Sequence, residues 1–317
     1  MKTRLFLSAL VASVLPSLSF GETPQQIATL HWYDAGVQGF DADVDGAPYG
    51  ICCDAQFMWV TTDQNKVVKV RASDGKVVSS TLVGSKPHGV AFDGLSVWVC
   101  NNGATTVSRV QAIDPDPPQS PSIVLGTVTV PGSPESAVFD GTYVWVTVPN
   151  SSLITRINPM NNQVAGSFGV GSSPRGIAFD GVNLWTANFG AGNVSKVRPT
   201  DGKVLGTFHV GNGPTGIAFD GTNLWVTLKT TNQVVKISKA GVILATLTVG
   251  TQPQGIAFDG TNVWAANTFS NNVTKIGPIG APAVIGTYIT GNSPTSVAFD
   301  GAFIWTTNNT GGTLSKR

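Results

Sequence analysis

The sequence predicts an all-β fold built from seven copies of one four-stranded unit, and three observations support this prediction. A repeat of about 40 residues runs through the chain, each repeat contains short strand-like runs, and the composition favours turns over helices. Of the 317 residues, 37 are Gly and 19 are Pro, whereas Glu, a good helix former, occurs only as Glu22 and Glu135. A helical bundle and an α/β enzyme with long alternating helices are therefore excluded.

The repeat is marked by a tryptophan, with an aspartate five residues before it and a proline eleven residues before it. A lysine or arginine follows ten or eleven residues after it. The tryptophans are Trp59, Trp98, Trp145, Trp185, Trp225, Trp264 and Trp305. The aspartates are Asp54, Asp93, Asp140, Asp180, Asp220, Asp259 and Asp300. The bases are Lys69, Arg109, Arg156, Lys196, Lys236, Lys275 and Lys316.

One unit, residues 214–250, contains four strand-like runs. The first run starts at Pro214 and ends in the tight-turn dipeptide Asp220-Gly221, and Trp225 lies in the second run. Residues 232–238 and 242–249 form the third and fourth runs. Four strands at a period near 40 residues indicate one blade of a β-propeller, so seven units predict a seven-bladed β-propeller of four-stranded antiparallel blades.

The two ends of the chain predict how the ring closes. The seventh unit stops at Lys316-Arg317, inside its third strand, and lacks a fourth. Residues 28–32 resemble the fourth strand at residues 245–249, so we expect this N-terminal strand to complete the seventh blade and remove its exposed edge. Residues 34–45 are then expected to form an inserted loop.

Residues 1–21 are typical of a secretory signal peptide. Lys2 and Arg4 precede the apolar run from Leu5 to Phe20, which is too short for a membrane span. We therefore expect residues 22–317 to form one propeller domain that is secreted or periplasmic. No later apolar run is long enough for a membrane span, and a net charge of +1 without basic clusters argues against nucleic acid as a partner.

The pattern Pro-x-Gly-Ile-Ala-Phe-Asp-Gly-x-Asn-Leu-Trp-Val-Thr, clearest in residues 212–237, resembles YVTN-type β-propeller repeat proteins. It is also similar to streptogramin B (virginiamycin B) lyases, a resemblance that implies seven blades. The same resemblance implies catalytic His and Glu residues, a Trp-Phe-Thr-Glu signature and a magnesium ion. In this chain the third residue after the tryptophan is never Glu, and in four units it is an asparagine: Asn101, Asn188, Asn267 and Asn308.

Residue types that recur in every unit are expected to be structural, because each blade must solve the same packing problem. We expect each aspartate to cap its hairpin turn and each tryptophan to pack between neighbouring blades. The lysines and arginines are expected to lay their stems on the blade and expose their charged ends to water.

One position is polar in every unit but changes its residue type, and it is the candidate ligand-binding site. It directly follows the proline that stands eleven residues before the tryptophan in every unit and opens the innermost strand. The side chains at this position are therefore expected to surround one mouth of the central channel. We call this position the entry slot, and it holds Tyr49, His88, Glu135, Arg175, Thr215, Gln254 and Thr295. The alternative is a wet, polar channel mouth with an ion pair between Glu135 and Arg175.

Two classes of function remain open. The first is a secreted, non-catalytic binding or scaffold propeller, expected to be a monomer without a cofactor, which recognises a small molecule, a glycan or a protein at the channel mouth. The second is a lyase or hydrolase that uses His88 and Glu135 there, with Mg²⁺ as a cofactor only in this case.

Three cysteines, Cys52, Cys53 and Cys100, are expected to be small buried strand residues. An odd count leaves at least one thiol unpaired within the chain. A bridge from Cys52 or Cys53 to Cys100 stays open, because the first and second blades are neighbours.

Overall fold

The computed structural model describes residues 39–112, 122–277 and 281–317, and these residues form 28 strands and one 3₁₀ turn, Pro149–Ser151. Strand β1 is Asp41–Asp43. Blade 1 is β2 to β5: Pro48–Cys53, Phe57–Thr62, Lys66–Arg71 and Val77–Leu82. Blade 2 is β6 to β9: Pro87–Phe92, Ser96–Asn101, Thr106–Gln111 and Val124–Thr129. Blade 3 is β10 to β13: Ala137–Phe139, Val144–Val148, Leu153–Asn158 and Gln163–Gly169.

The remaining blades continue the same pattern. Blade 4 is β14 to β17: Pro174–Phe179, Leu184–Asn188, Asn193–Val197 and Val204–His209. Blade 5 is β18 to β21: Pro214–Phe219, Leu224–Leu228, Gln233–Ile237 and Ile243–Thr248. Blade 6 is β22 to β25: Pro253–Phe258, Val263–Asn267, Asn272–Gly277 and Ala283–Ile289. Blade 7 is β26 to β28, Pro294–Phe299, Ile304–Asn308 and Thr313–Lys316, together with β1.

The seven sheets form a closed ring, which confirms the predicted seven-bladed β-propeller. Each sheet has four antiparallel strands, which follow one another in chain order in six blades, while β1 forms the outer edge of blade 7. The first strand of every blade contacts the first strands of both neighbouring blades, and the first strand of blade 7 contacts that of blade 1. These seven strands therefore surround the central axis. No helix in the described part of the chain is long and apolar enough to cross a membrane.

An N-terminal strand does close blade 7, but it is not the predicted one. Strand β1 pairs with β28, with Asp41 opposite Ser315 and Asp43 opposite Thr313. The predicted residues 28–32 lie outside the described residues, and the predicted loop at 34–45 contains β1 instead. Side-chain packing holds this strand in place: Phe40 lies edge-on to the blade's own Trp305 with ring centroids 5.6 Å apart, and in blade 3 Phe168 packs on Trp145 in a tilted arrangement.

The tryptophan and aspartate predictions are confirmed. Trp185 of blade 4, for example, packs in one cluster with Ile217 and Leu224 of blade 5. Each indole Nε1 donates a hydrogen bond of 2.6–2.8 Å to Oδ2 of the aspartate five residues earlier. Oδ1 of the same aspartate accepts the backbone N–H groups two and three residues later, so one carboxylate holds both the turn and the indole.

The prediction for the lysines and arginines is wrong in most blades, because the charged end is held by a backbone carbonyl of the next blade rather than left in water. Lys69 and Lys316 are fully buried. Nζ of Lys69 donates to the carbonyl of Ala112 in blade 2 (3.1 Å), and Nη1 of Arg109 donates to that of Pro159 in blade 3 (2.6 Å). In five blades the base lies beside its own tryptophan and reaches a turn carbonyl of the next blade, an acceptor that sequence spacing does not show.

Candidate functional site

The chain enters each innermost strand through a constrained turn that positions the entry slot. In six blades the proline opens the strand, whereas in blade 3 the strand starts only at Ala137, so Glu135 lies just before it. The residue before the proline has a left-handed backbone in several blades, with φ of 45° at Lys86 and 56° at Ser293. Such a conformation is uncommon for residues other than glycine and fixes the direction in which the next residue leaves the turn.

Three entry-slot residues from consecutive blades form one cluster. The rings of Tyr49 and His88 stack in parallel with centroids 3.8 Å apart. Nδ1 of His88 lies 3.1 Å from Oε2 of Glu135, and both side chains are about one-fifth exposed. Nδ2 of Asn102 donates to the same Oε2 at 2.8 Å. An ionised Glu135 can only accept, so Nδ1 carries the proton and Nε2 of His88 is the basic ring atom.

Charges from non-adjacent blades also reach this cluster. Burial raises the pKa of the Tyr49 phenol, the carboxylate of Glu135 raises it further, and the guanidinium of Arg175 opposes the shift. Tyr49, Glu135 and Arg175 belong to blades 1, 3 and 4, which do not all touch one another. The Tyr49 phenol of blade 1 and the Glu135 carboxylate of blade 3 thus influence each other although blade 2 lies between them.

Arg175 does not pair with Glu135, in contrast to the alternative considered from the sequence. Its guanidinium lies over the ring of Phe189, 4.1 Å from the centroid. Glu135 instead takes its hydrogen bonds from His88 and Asn102, which lie on the blade 2 side. Glu135 and Arg175 therefore form no ion pair, although the charges of both act on Tyr49.

The other entry-slot residues are engaged locally. Thr215 donates to the carbonyl of Gly213 at 3.1 Å. Nε2 of Gln254 donates to the hydroxyl of Thr268 at 2.6 Å. The hydroxyl of Thr295 lies within hydrogen-bond distance of the Tyr49 carbonyl (3.1 Å) and of the Thr307 hydroxyl (2.9 Å). The structure thus brings Tyr49, His88 and Glu135 together and leaves these three polar residues outside that cluster.

A second variable position lies beside the entry slot, and our sequence reasoning missed it. Asn102, Phe189 and Thr268, which contact slot residues or the segments that hold them, all stand four residues after a tryptophan. The signal that could have found them is the same one that identified the slot: a position that changes type among otherwise regular repeats. Its seven members are Asp63, Asn102, Pro149, Phe189, Lys229, Thr268 and Asn309.

Threonines two residues after the tryptophan fix the slot backbone in alternate blades. The hydroxyl of Thr61 donates to the carbonyl of His88 in the next blade (2.6 Å) and accepts the N–H of Gly50 in its own blade (2.8 Å). The same donation to a slot carbonyl is made by Thr147 to Arg175, by Thr227 to Gln254 and by Thr307 to Tyr49. Four of the seven slot residues are thus anchored through their main chains.

The slot does not fit the magnesium ion that the lyase resemblance implies. Mg²⁺ requires near-octahedral oxygen coordination. The slot offers one carboxylate, Glu135, and its Oε2 already accepts two hydrogen bonds. Within the ranges that the structure describes, no three His, Cys, Asp or Glu side chains lie close enough together to hold a metal ion.

A separate cleft of about 740 Å³ opens between blades 6 and 7. No entry-slot residue lines it. Its walls include Trp264, Lys275, Tyr288, Phe303 and Arg317. It therefore belongs to the blade interface near the ring closure and not to the entry slot.

No family model matches the sequence, and no curated protein is significantly similar to it. Solved structures do match the fold. A chain of hydrazine synthase from Kuenenia stuttgartiensis is 19% identical with a TM-score of 0.74, covering 90% of this chain and 99% of that one. A streptogramin B lyase is 18% identical (TM-score 0.74; 88% and 96% covered). Virginiamycin B lyase from Staphylococcus aureus is 20% identical (TM-score 0.73; 88% and 98% covered). The chain is thus distantly similar to lyase propellers, and at this identity the likeness shows the fold alone.

Proposed function

We propose that this protein is an exported, non-catalytic binding propeller that recognises a small molecule, a glycan or a protein at one mouth of its central channel. The observation that carries this proposal is the cluster of Tyr49, His88 and Glu135, in which three blades contribute different side chains at one repeated position. In a repeat protein, the positions that vary are where a specific site can be built on a regular scaffold. Export is proposed from the signal-peptide pattern of residues 1–21.

The cluster has the properties of a recognition surface. The stacked rings of Tyr49 and His88 offer an apolar face, and Nε2 of His88 and the carboxylate of Glu135 offer hydrogen-bond acceptors. Such a combination of a few fixed polar groups with an aromatic surface is typical of sites that bind small ligands and sugars. The hydrogen bond from Thr61 to the His88 carbonyl supports the same purpose, because it fixes the main chain that carries this side chain before a ligand arrives.

The contact of 3.1 Å between His88 and Glu135 favours a second candidate, a lyase or hydrolase. In that case Glu135 orients the imidazole and Nε2 of His88 removes a proton from the substrate or from water. Streptogramin B lyases share the fold. Because the slot offers a single carboxylate, His88 and Glu135 are proposed to act in this candidate without a metal.

A thermal-shift screen of the purified protein with sugars, peptides and macrocyclic lactones tests the binding proposal. A ligand that binds the folded state raises the apparent Tm. For each hit, affinity is then compared among the parent, His88→Ala, Glu135→Gln and the control His209→Ala, which removes an exposed histidine on the outer strand of blade 4. We expect the first two variants to lose roughly tenfold or more in affinity with little change in Tm, and the control to lose nothing.

The same hits distinguish the two candidates. Chemical conversion of a bound compound by the parent, abolished in His88→Ala and in Glu135→Gln, would establish the enzyme and overturn the non-catalytic proposal. Equal affinity in all four proteins would show that the ligand binds elsewhere.

A further inference from the structure

The cleft between blades 6 and 7 lies where a contact that recurs between neighbouring blades is interrupted. In blades 1 to 4 and in blade 7, the base that follows the tryptophan donates to a main-chain carbonyl just after the third strand of the next blade. Nη1 of Arg156 in blade 3, for example, donates to the carbonyls of Pro199 and Thr200 in blade 4, at 3.0 and 3.1 Å. Lys275 of blade 6 lines the cleft, lies over Trp264 and donates no hydrogen bond to the described residues.

The closure of the ring explains this interruption. In blades 1 to 6 the accepting carbonyl belongs to the connection between the third and fourth strands, which follow each other in the chain. In blade 7 the third strand is β28 and the fourth is β1, which precedes blade 1 in the chain. No hairpin turn joins β28 to β1, so among the described residues blade 7 presents no such carbonyl to blade 6.

The aromatic side chain on the outer strand of blade 6 shows the same interruption. In blade 3 the ring of Phe168 is partly buried and packs on Gly202 in the turn of blade 4, where a Cβ would collide with the ring. The same contact joins Phe208 of blade 4 to Gly241 of blade 5. Tyr288 has the equivalent position in blade 6, but it is 40% exposed and lines the cleft. Its hydroxyl has no hydrogen-bond partner in the described residues.

The charged groups at the cleft favour a neutral acceptor over an anion. The carboxylate of Asp259 lines the same cleft and accepts the indole N–H of its own blade. Arg317 also lines it, and its guanidinium is paired with Asp41 at 3.0 Å. In the other blades the same combination of aspartate, tryptophan and base takes a main-chain carbonyl, which has no net charge. A fitting ligand therefore offers a carbonyl oxygen to Lys275 and a surface without a side chain to Tyr288.

We propose that the cleft between blades 6 and 7 binds a glycine-containing β-turn of a partner protein. Lys275 donates to a main-chain carbonyl of this turn, and the turn glycine lies on the ring of Tyr288. The repeat itself supports this choice of occupant, because a turn of this kind holds the equivalent place on blades 3 and 4. The volume of about 740 Å³ lies in the range of cavities that enclose a ligand. The site is separate from the entry slot and does not rest on the proposed function.

Isothermal titration calorimetry of the purified protein with a backbone-cyclised peptide tests this site. The peptide has the sequence of residues 197–204, Val-Arg-Pro-Thr-Asp-Gly-Lys-Val, because this segment is the blade 4 turn that blade 3 holds. Cyclisation keeps it in a turn before binding. We expect the parent to bind the peptide and Lys275→Met and Tyr288→Ala each to weaken binding about tenfold. Lys275→Arg should retain most of the affinity, because an arginine makes this contact in blades 2 and 3.

Two controls accompany these variants. Lys203→Met removes an exposed lysine from the outer turn of blade 4 and should bind the peptide as the parent does. A peptide with valine in place of its glycine should not bind, because its side chain would collide with Tyr288. Circular dichroism confirms that each variant is folded, and the valine peptide tests the same contact on the parent protein if Tyr288→Ala is not.

Three results would overturn the inference. The first is absence of binding by the parent, and the second is equal affinity in the parent, Lys275→Met and Tyr288→Ala. The third is binding by a variant that lacks residues 1–38 but not by the full chain. Because Gly39 lines the cleft, that result would assign the cleft to the protein's own N-terminal segment instead of a partner. All three leave the proposed function standing, since ligands of the entry slot are tested separately with His88→Ala.

Discussion

The ammonium group of Lys316 donates a hydrogen bond of 2.8 Å to the carbonyl oxygen of Ala72, and this bond ties the last blade to the first. Lys316 is fully buried and its Nζ also lies 4.2 Å from the ring centroid of Phe303. Burial lowers the pKa of this lysine. A buried cation is tolerated here because it is hydrogen-bonded and lies on aromatic rings.

Replacement of this lysine by an apolar side chain of similar length should loosen the ring. We expect Lys316→Met to lower the free energy of unfolding by about 1–3 kcal/mol, because the buried Ala72 carbonyl loses its donor. Lys275→Met is the matched control, since Lys275 lies over Trp264 at 5.0 Å and donates no hydrogen bond to the described residues. We expect the control to cost less than about 1 kcal/mol in urea denaturation. Equal losses would contradict the role of the inter-blade bond.

The aspartate–tryptophan pair gives a graded prediction in blade 5. Asp220 accepts from Nε1 of Trp225 through Oδ2 and from the N–H groups of Thr222 and Asn223 through Oδ1. Asp220→Ala loses all three bonds and should destabilise by about 2–4 kcal/mol, whereas Asp220→Asn keeps the turn acceptor and should lose about half as much. Thermal unfolding measures the order. A variant with Asn as unstable as the one with Ala would show that the indole bond dominates.

Much of the fold could be predicted because the same packing and turn requirements recur in all seven repeats. A residue type that recurs at the same position of every unit, as Trp225 and Asp220 do in blade 5, indicates a packing or turn requirement shared by all blades. The positions of Lys69 and Lys316 were equally visible, but their environment was not. Their hydrogen-bond acceptors are backbone carbonyls of the next blade, and every residue has one, so no sequence pattern identifies them.

The closing strand shows the limit of local similarity. Residues 28–32 match a fourth strand in the sequence of their side chains, yet the strand that pairs with β28 is Asp41–Asp43. What identifies it is the aromatic that packs on the tryptophan of its own blade, as Phe40 does on Trp305. A three-residue strand with two aspartates carries too little propensity to be recognised without that tertiary contact.

The sequence could group Tyr49, His88 and Glu135 at one repeated position, but it could not predict the hydrogen-bond partner of Glu135. The entry slot follows from a variable column, and the same argument applied to a second column would have found Asn102 and Lys229. That Glu135 bonds to His88 rather than to Arg175 depends on which neighbour its side chain faces. In blade 3 the inner strand starts late, at Ala137, and this irregularity lies outside the repeat pattern.

Two truncations test the ring closure. Removal of residues 1–38 keeps β1, the hydrogen bond from Lys316 N to Phe40 O and the bond from Val44 N to Gly312 O. We expect that variant to unfold at nearly the parent temperature. Removal of residues 1–44 leaves the edge of β28 unpaired, so it should lower the Tm and promote aggregation, measured by light scattering. A large destabilisation by the shorter truncation would restore a closing role for residues 28–32.

The three cysteines are free thiols, which answers the bridge left open by the sequence. Burial raises the pKa of Cys100, and it raises the pKa of Cys53 to about 12. A thiol reacts as its thiolate, so a raised pKa means little thiolate at pH 8. We expect alkylation of the folded protein by iodoacetamide to be slow at pH 8 and to accelerate about tenfold per pH unit above it. Under denaturing, non-reducing conditions three thiols should titrate, and a count of one would reveal a disulfide.

Thr61 and Thr62 are adjacent, fully buried threonines that should respond oppositely to the same substitution. The pairing of β2 with β3 is irregular between Pro48 and Ile51, so the Gly50 N–H finds its acceptor in the Thr61 hydroxyl, which also donates to the His88 carbonyl. The hydroxyl of Thr62 has no hydrogen-bond partner in the described residues. Valine has nearly the shape of threonine, so Thr61→Val removes two bonds and should cost about 1–3 kcal/mol, whereas Thr62→Val should be neutral or slightly stabilising. Urea denaturation of both variants measures the difference.

Thr61→Val should also lower the affinity for any ligand that depends on His88, because Thr61 holds the main chain of His88. Similar stability and affinity in the two variants would rule out this positioning role.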